Sequence, residues 1–483
     1  MGQSLKNSVF TAEQYGTFHA RLEQELEVLK QTLQAPQYNQ NKPSLGAELE
    51  MYLADSDWLP TAKNQWLLDE CNNPLLQPEL NQYNIEFNLA PVNAKGDSLN
   101  QLQKQLDVQL DELRSKCHQA QTRIIPIGIL PTLDERHLSR EFLTNRPRYN
   151  ALSQQLGSVK DSAFEVNIKG LDELQMQSDE VTLEGANTSF QVHLRVPYSR
   201  FADTYNAAQL VTPLSLALAG NSPIFMGKRL WQETRIALFK QSIDGRMRGT
   251  TEWRQPARVS FGHGWMRHGV WENFAENVAL YPAILPQVPD NVALEEFKAL
   301  QMHHGTIWSW NRSVLDVENE HLRIEFRTLP AGPSNIDMVA NAAVLIGWTV
   351  ALSKDINVYL CKLPFRYAEY NFYRSAKEGL DAEILWPQKH QHNLTTRNVC
   401  DVIADMLPMA ADGLATIGVN RTDIDFYLGV IEKRLASRQT GATWQINTLN
   451  RFKQTADNTK ALKQMVEQYT LNNISGLAVA DWD

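Results

Sequence analysis

The chain is poor in cysteine, short of basic charge and without long apolar runs. Its four cysteines, Cys71, Cys117, Cys361 and Cys400, stand far apart with no C-x-x-C spacing. Neither a disulfide framework nor a structural zinc site is therefore expected to organise the fold. Lys and Arg total 46 against 55 Asp and Glu, for a net charge of −9. A nucleic-acid partner, which needs clustered cations, is not expected. The densest basic stretch, Arg246 to Arg258, reads as a solvated or substrate-facing loop. No apolar run approaches the roughly 20 residues that span a bilayer, and the opening MGQSLKNSVFTAEQYG lacks an apolar signal core. The expectation is a cytoplasmic protein with no membrane partner.

Several catalytic signatures are missing as well. There is no P-loop, no G-x-S-x-G elbow, no H-E-x-x-H and no Gly-rich turn after the first strand, which removes the usual P-loop, serine-hydrolase, zincin and dinucleotide-binding readings. FGHGW (Gly262, His263, Gly264) reads as a plain turn, and His303–His304 as a pair preceding a strand.

What is present is material for a large core, 43% hydrophobic over 483 residues, with no repeat and no low-complexity linker. Residues 11–35 place Phe18, Leu22, Leu26, Leu29 and Leu33 at helical spacing, and residues 98–122 do the same with Leu102, Leu106, Leu110 and Leu113, predicting two amphipathic helices. RIIPIGILPT predicts a buried strand interrupted by Pro126. A helix is expected from about Ser199 to Leu218, and NIDMVANAAVLIGWTVALSK predicts a helix apolar on most sides. From about Asn393 onward the pattern is helical to the end. Three stretches follow: 1–43, with its helix packing on the core; 44–380, carrying the chemistry; and 381–483, a helical region of the same compact unit. Strands arrive singly between helices of unequal length, without a βαβ rhythm. The class is α+β, a curved and mainly antiparallel sheet with helices on its outer face.

Four segments set polar side chains two apart in apolar strand patterns: GAELEMYL (Glu48, Glu50), NIEFNLAP (Glu86, Asn88), SFQVHLRV (Gln191, His193) and LRIEFRTL (Glu325, Arg327). Residues i and i+2 of a strand share a face, and carboxylates turned inward are costly unless paired. Four such strands side by side would make a concave acidic surface suited to hard cations and a phosphate-bearing substrate. Glu79 lies an odd seven residues before Glu86, so the chain after Pro78 must turn if both are to face inward. Glu48, Glu50, Glu79, Glu86, His193 and Glu325 could then supply two or three sites for Mg²⁺ or Mn²⁺. Arg235, Arg312 and Arg327 are the candidate phosphate or carboxylate forks.

The ordered series GAELEMYL, ELNQYNIEFNLAP, NTSFQVHLRV, LALAGNSPIFMGK with ETRIALFKQS, TIWSWNR, LRIEFRTLPAGPS and NFYRSAKEGLDA, over about residues 44 to 380, resembles glutamate–cysteine ligase family 2. The resemblance implies a glutamine-synthetase-like fold whose curved antiparallel sheet forms a cavity for ATP, glutamate and divalent metal. It implies metal-ligand roles for Glu48, Glu50, Glu79, Glu86, His193 and Glu325. Arg327 and Arg312 would contact nucleotide phosphates, Gln191 would sit beside His193 on the cavity floor, and Arg235, Asn221 and Ser222 would line the acceptor-carboxylate region. Arg235 and Arg327 would be the catalytic cations. The expected reaction is ATP-dependent formation of a γ-glutamyl amide through an acyl phosphate. Its small-molecule partners would be glutamate or a similar carboxylate and an amine such as cysteine. No pocket for the cysteine thiol is legible, so the amine stays open, and so does an oligomeric state. A guanidino-type phosphotransferase on the same fold and a non-catalytic nucleotide- or metabolite-binding relative are the alternatives.

Overall fold

The computed structural model describes residues 10–159, 163–246, 255–288, 291–387 and 393–483. Of the basic stretch Arg246 to Arg258, Arg248 and Arg254 lie outside the described residues, as do the first nine residues of the chain. Arg246 pairs with Asp244 at 2.7 Å, and Arg258 donates to the Pro282 carbonyl at 2.6 Å.

The four polar-patterned segments become adjacent strands. Across the central sheet the order is Asn311–Asp316, His321–Phe326, Phe190–Arg195, Ser44–Ala54, Asn84–Asn88 and Leu76–Pro78, every pair antiparallel. Val92–Asn93 and Arg123–Ile125 extend the two ends of Ser44–Ala54, and the sheet curls into a half-barrel. Alternation explains its two faces. Leu45, Ala47, Leu49, Met51 and Leu53 are buried and join Ile85, Phe87, Phe190, Val192, Leu194, Leu322, Ile324 and Phe326 in one core. The residues between them form the opposite, polar face.

Helices close the apolar side. Thr11 and Gln14 form a reciprocal cap, with Gln14 Oε1 accepting from Thr11 N at 2.8 Å, and this starts the helix Ala12–Thr32. Ser98–Gln119 buries its leucine stripe as its period demands. Asn335–Leu352 is long and apolar enough to cross a membrane, yet is 78% buried against Phe201–Ala219, Val399–Thr416 and Arg421–Ser437. Its crossing with Val399–Thr416 is made by two glycines: a Cβ on Gly413 would stand 1.8 Å from the Gly347 carbonyl oxygen. The same helix holds a buried ion pair, Asp337 to Arg434 at 2.6 Å. Arg434 also donates to Asn341 and to the Leu218 carbonyl, and Asp337 accepts from Val479 N.

Two expectations change. RIIPIGILPT is strand only over Arg123–Ile125, because Pro126 lacks the N–H to continue the ladder. The helical reading from Asn393 begins late: Leu394–Asn398 pairs with Glu383–Pro387 as a hairpin, and the helix starts at Val399 behind an Asn398 cap. The β-branched Thr395 and Thr396 favour that extended start. His303 and His304 close the short helix Lys298–His304 and precede the strand Trp308–Ser309, as expected. Both are buried and bonded, His304 to Asn277 and the Ser313 carbonyl.

Candidate active site

Register builds the site. Glu48 lies opposite both Gln191 and Asn88, Glu50 opposite Glu86, His193 opposite Gly46 and Glu325, and Arg312 opposite Glu325. Cross-strand partners share a face, so all of these side chains stand on the concave side. Arg323 and Arg327 join Glu325 there at two-residue steps. Glu79 follows Pro78 where the chain leaves its strand, and the turn before Asn84 brings it in. Carboxylate oxygens of Glu50, Glu79 and Glu86 lie within 4.8 Å of one another.

The floor divides by charge balance. On one side the acids outnumber their cations. Glu50 accepts from Ser189 N at 2.7 Å and from Gln191 Nε2 at 2.8 Å. Glu79 accepts from Leu80 N at 3.1 Å and Glu86 from Asn88 Nδ2 at 2.7 Å. Burial raises all three carboxyls. Burial with the nearby Glu48 and Glu50 pushes Glu86 up to about 8. Burial together with Glu86, Glu50 and Glu184 holds Glu79 well above its ordinary range.

On the other side cations compensate. Arg327 donates to Glu325 at 2.7 Å, with Arg312 at 3.8 Å from the same oxygen. Burial works to raise Glu325, but Arg312, Arg327 and His193 outweigh it and hold the carboxyl far below its ordinary value. Burial likewise opposes Glu48, yet His193 and Arg327 bring it below the ordinary range. His193 Nε2 lies 3.2 Å from Glu48 Oε1 without the alignment of a hydrogen bond. Arg323 Nε donates to His193 Nδ1 at 2.9 Å. A neutral ring then carries its proton on Nε2, and a cation at that nitrogen would require Arg323 to release Nδ1.

The carboxylate set fits a hard divalent cation. Its members are mutually close and all raised by burial, Glu79 and Glu86 also by neighbouring carboxylates, and Gln191 Oε1 is buried beside them without a partner among the described residues. A cavity of about 420 Å³ opens at one end, bounded by Gly46, Glu48, Asn88, His193, Asp316 and Arg323.

Sequence reading missed four contributors. Glu184, from the turn Val181–Ala186, is pushed up to about 7 by burial and the nearby Glu50. It sits in no periodic pattern, so nothing marked it. Arg148 and Tyr149 enter from the helix Pro147–Val159. Arg148 meets Met302 Sδ at 3.6 Å and no carboxylate among the described residues, so burial lowers it. Arg323 was legible, two residues before Glu325. It bridges His193 to Asp316, which it meets at 3.2 Å.

Arg235, Asn221 and Ser222 are placed differently. Arg235 is buried against Glu233 at 3.2 Å and donates to the carbonyls of Thr328 and Arg327, each at 3.2 Å. Its charge reaches Glu50. Asn221 and Ser222 are fully buried, and their side-chain polar atoms are engaged within the protein.

Residues 44–467 match glutamate–cysteine ligase family 2 (GCS2). Among solved structures, a glutamate–cysteine ligase from Francisella tularensis, in complex with AMP, aligns over 90% of this chain and 90% of its own, with a TM-score of 0.52 at 10% identity. That likeness is one of fold. A bifunctional glutathione synthetase from Pasteurella multocida covers 93% of this chain and 55% of its own at 11% identity and a TM-score of 0.48. The ligase PafA, in complex with the prokaryotic ubiquitin-like protein Pup, scores 0.39 at 9% identity, covering 88% of this chain and 72% of its own. No curated protein sequence matches.

Proposed function

The chain belongs to glutamate–cysteine ligase family 2, and on that premise we propose that it joins the γ-carboxylate of glutamate to the amine of cysteine through an acyl phosphate. At the coarser level it is an ATP-dependent ligase that forms an amide bond between small molecules. One observation supports the finer reading above others: six residues from distant segments, Glu48, Glu50, Glu79, Glu86, His193 and Glu325, meet with Arg327 on a single concave floor.

Glu50, Glu79 and Glu86 are the residues to hold one Mg²⁺ or Mn²⁺, and Glu48, Glu325 and His193 a second. Bound there, such ions would neutralise phosphate charge. The chain's own groups do the rest. Arg327, kept charged by Glu325, Glu50 and Glu48, offsets charge on the phosphoryl group as it moves from ADP to the substrate carboxylate oxygen. Arg312 and Arg148 add positive charge on the same side. Arg235 fixes the backbone at Arg327. The amine nitrogen then attacks the acyl carbon, its bond forms as the C–O bond to phosphate breaks, and the nitrogen loses a proton. The scheme requires no enzyme nucleophile, and closure of the cavity over bound substrates would protect the intermediate from water.

The test is to supply ATP, Mg²⁺ and glutamate with a panel of amines, follow phosphate release and identify products by mass. A γ-glutamyl amide with stoichiometric phosphate is expected. ADP formation that needs a guanidino acceptor and yields no amide would replace this reading with a phosphotransferase. Nucleotide binding without turnover for any amine would replace it with a non-catalytic one.

A further inference from the structure

The carboxyl-terminal helices reach the site through one buried carboxamide. Asn221 is completely covered and both polar atoms of its side chain are bonded. Nδ2 donates to the Ala331 carbonyl at 2.7 Å and to the Tyr469 hydroxyl at 2.8 Å. Oδ1 accepts from Gln445 Nε2 at 2.8 Å. Tyr469 in turn donates to the Pro126 carbonyl at 2.8 Å. Tyr469 belongs to the helix Asn458–Ile474 and Gln445 to Gly441–Phe452. The latter starts hard against this group: a Cβ on Gly441 would stand 2.0 Å from Asn221 Oδ1.

From Asn221 the bonds continue inward. Its backbone N–H donates to Glu233 Oε2 at 2.9 Å, and Ser222 Oγ donates to Glu233 Oε1 at 2.6 Å. Glu233 is fully buried and meets Arg235 at 3.2 Å. Arg235 then clamps the Arg327 and Thr328 carbonyls, directly after the strand that carries Glu325. Every link is buried except the last, from Arg235 to the Arg327 carbonyl, which is part-buried, and a buried acceptor that loses a donor is expensive to leave unmade. The network therefore holds one arrangement, and its far end sets where Arg327 stands.

We infer that Tyr469 and Gln445 are positioning residues for the ligase reaction, acting through Asn221 and the Glu233–Arg235 pair on the backbone of Arg327. Neither touches the polar floor of the sheet. The kinetic half of the test rests on the substrates proposed above; the exchange half does not.

Tyr469→Phe keeps the ring that packs on Trp444 and Trp482 and removes only the hydroxyl. Gln445→Met keeps length and removes the amide. With ATP, Mg²⁺, glutamate and cysteine, each variant is expected to lower kcat about ten-fold, as a small misplacement of a catalytic group does. KM for ATP should stay within about two-fold. Amide hydrogen exchange in residues 327–331 should quicken, while that in 44–54 stays unchanged. Val466→Ala, in the same helix and buried without a side-chain hydrogen bond, is the control: it should lower the melting temperature and leave both readouts near wild type. Wild-type kcat and exchange in the two folded variants would overturn the inference, as would an equal kinetic loss in Val466→Ala. Should Tyr469→Phe fail to fold, Gln445→Met decides by the same criteria. If the wild type makes no amide from glutamate and cysteine, the substrate assignment fails, and the exchange comparison still decides this one.

Discussion

Replacing Glu86 by Gln should stabilise the metal-free protein while destroying its response to metal. In the folded chain the Glu86 carboxyl ionises near 8, because burial and the Glu48 and Glu50 charges oppose its negative form. Unfolded, it ionises near its ordinary value of 4.5. Between those values the unfolded state binds fewer protons than the folded one, so stability falls as pH rises. At pH 7 the accumulated cost is about 3 kcal/mol at the rate of 1.36 kcal/mol per pH unit. Partial solvent access reduces it, and about 1–3 kcal/mol is the working figure. Glutamine is neutral in both states, so Glu86→Gln escapes this cost. Per-residue unfolding entropies give a chain of this length a shift of about 1 °C per kcal/mol, so the urea midpoint in EDTA is the sharper assay. The gain should appear at pH 7 and shrink below about 1 kcal/mol at pH 5, which lies only about half a pH unit above the value at which the unfolded group ionises. Adding Mg²⁺ at ten times its Kd should stabilise the wild type by about 1.4 kcal/mol and the variant much less. A variant less stable than wild type in EDTA at pH 7, with its Mg²⁺ response intact, would refute the reasoning.

Three further outcomes are expected. Apparent Mg²⁺ affinity should climb with pH between about 6 and 8, because the raised Glu86 carboxyl, near 8, must release its proton before it can coordinate; calorimetry in buffers of different ionisation enthalpy would show that release, and a pH-independent affinity would contradict it. Glu325→Gln should nearly abolish amine-dependent ADP release while the circular dichroism spectrum stays native, since it removes the carboxylate that Arg327 and Arg312 share; unchanged turnover would remove Glu325 from the metal set. Arg434→Met should destabilise by about 3–5 kcal/mol in urea, because it leaves the Asp337 carboxylate buried without its cation; adding Asp337→Leu should recover most of the loss.

The concave floor was legible because a strand's period of two is a local property. Glu48 with Glu50, Gln191 with His193, and Glu325 with Arg327 must share a face in any extended backbone, and the apolar residues between them decide which face meets the core. Family resemblance over the same segments implied that those strands belong to one curved antiparallel sheet, and the structure supplied their order. Glu184 and Arg148 were invisible for the converse reason. They stand on a turn and at a helix start, where nothing periodic fixes direction. The hairpin at Leu394–Asn398 was overlooked because its partner strand lies before it in the chain, and pairing is not a property of either segment alone.

By itself, then, the sequence determined that the chain folds as helices around a mainly antiparallel sheet, that four of its strands carry inward polar groups, and which family it joins. Tertiary structure alone decided how charge is shared out. It left Glu50, Glu79 and Glu86 crowded and under-compensated, gave Glu325 two arginines, fixed His193 through Arg323, and turned Asn221 from the site toward the carboxyl-terminal helices. The physical reason is range. Side-chain direction along a strand is set by neighbours one or two residues away, whereas a pKa or a buried hydrogen bond depends on groups that only folding brings within a few ångströms.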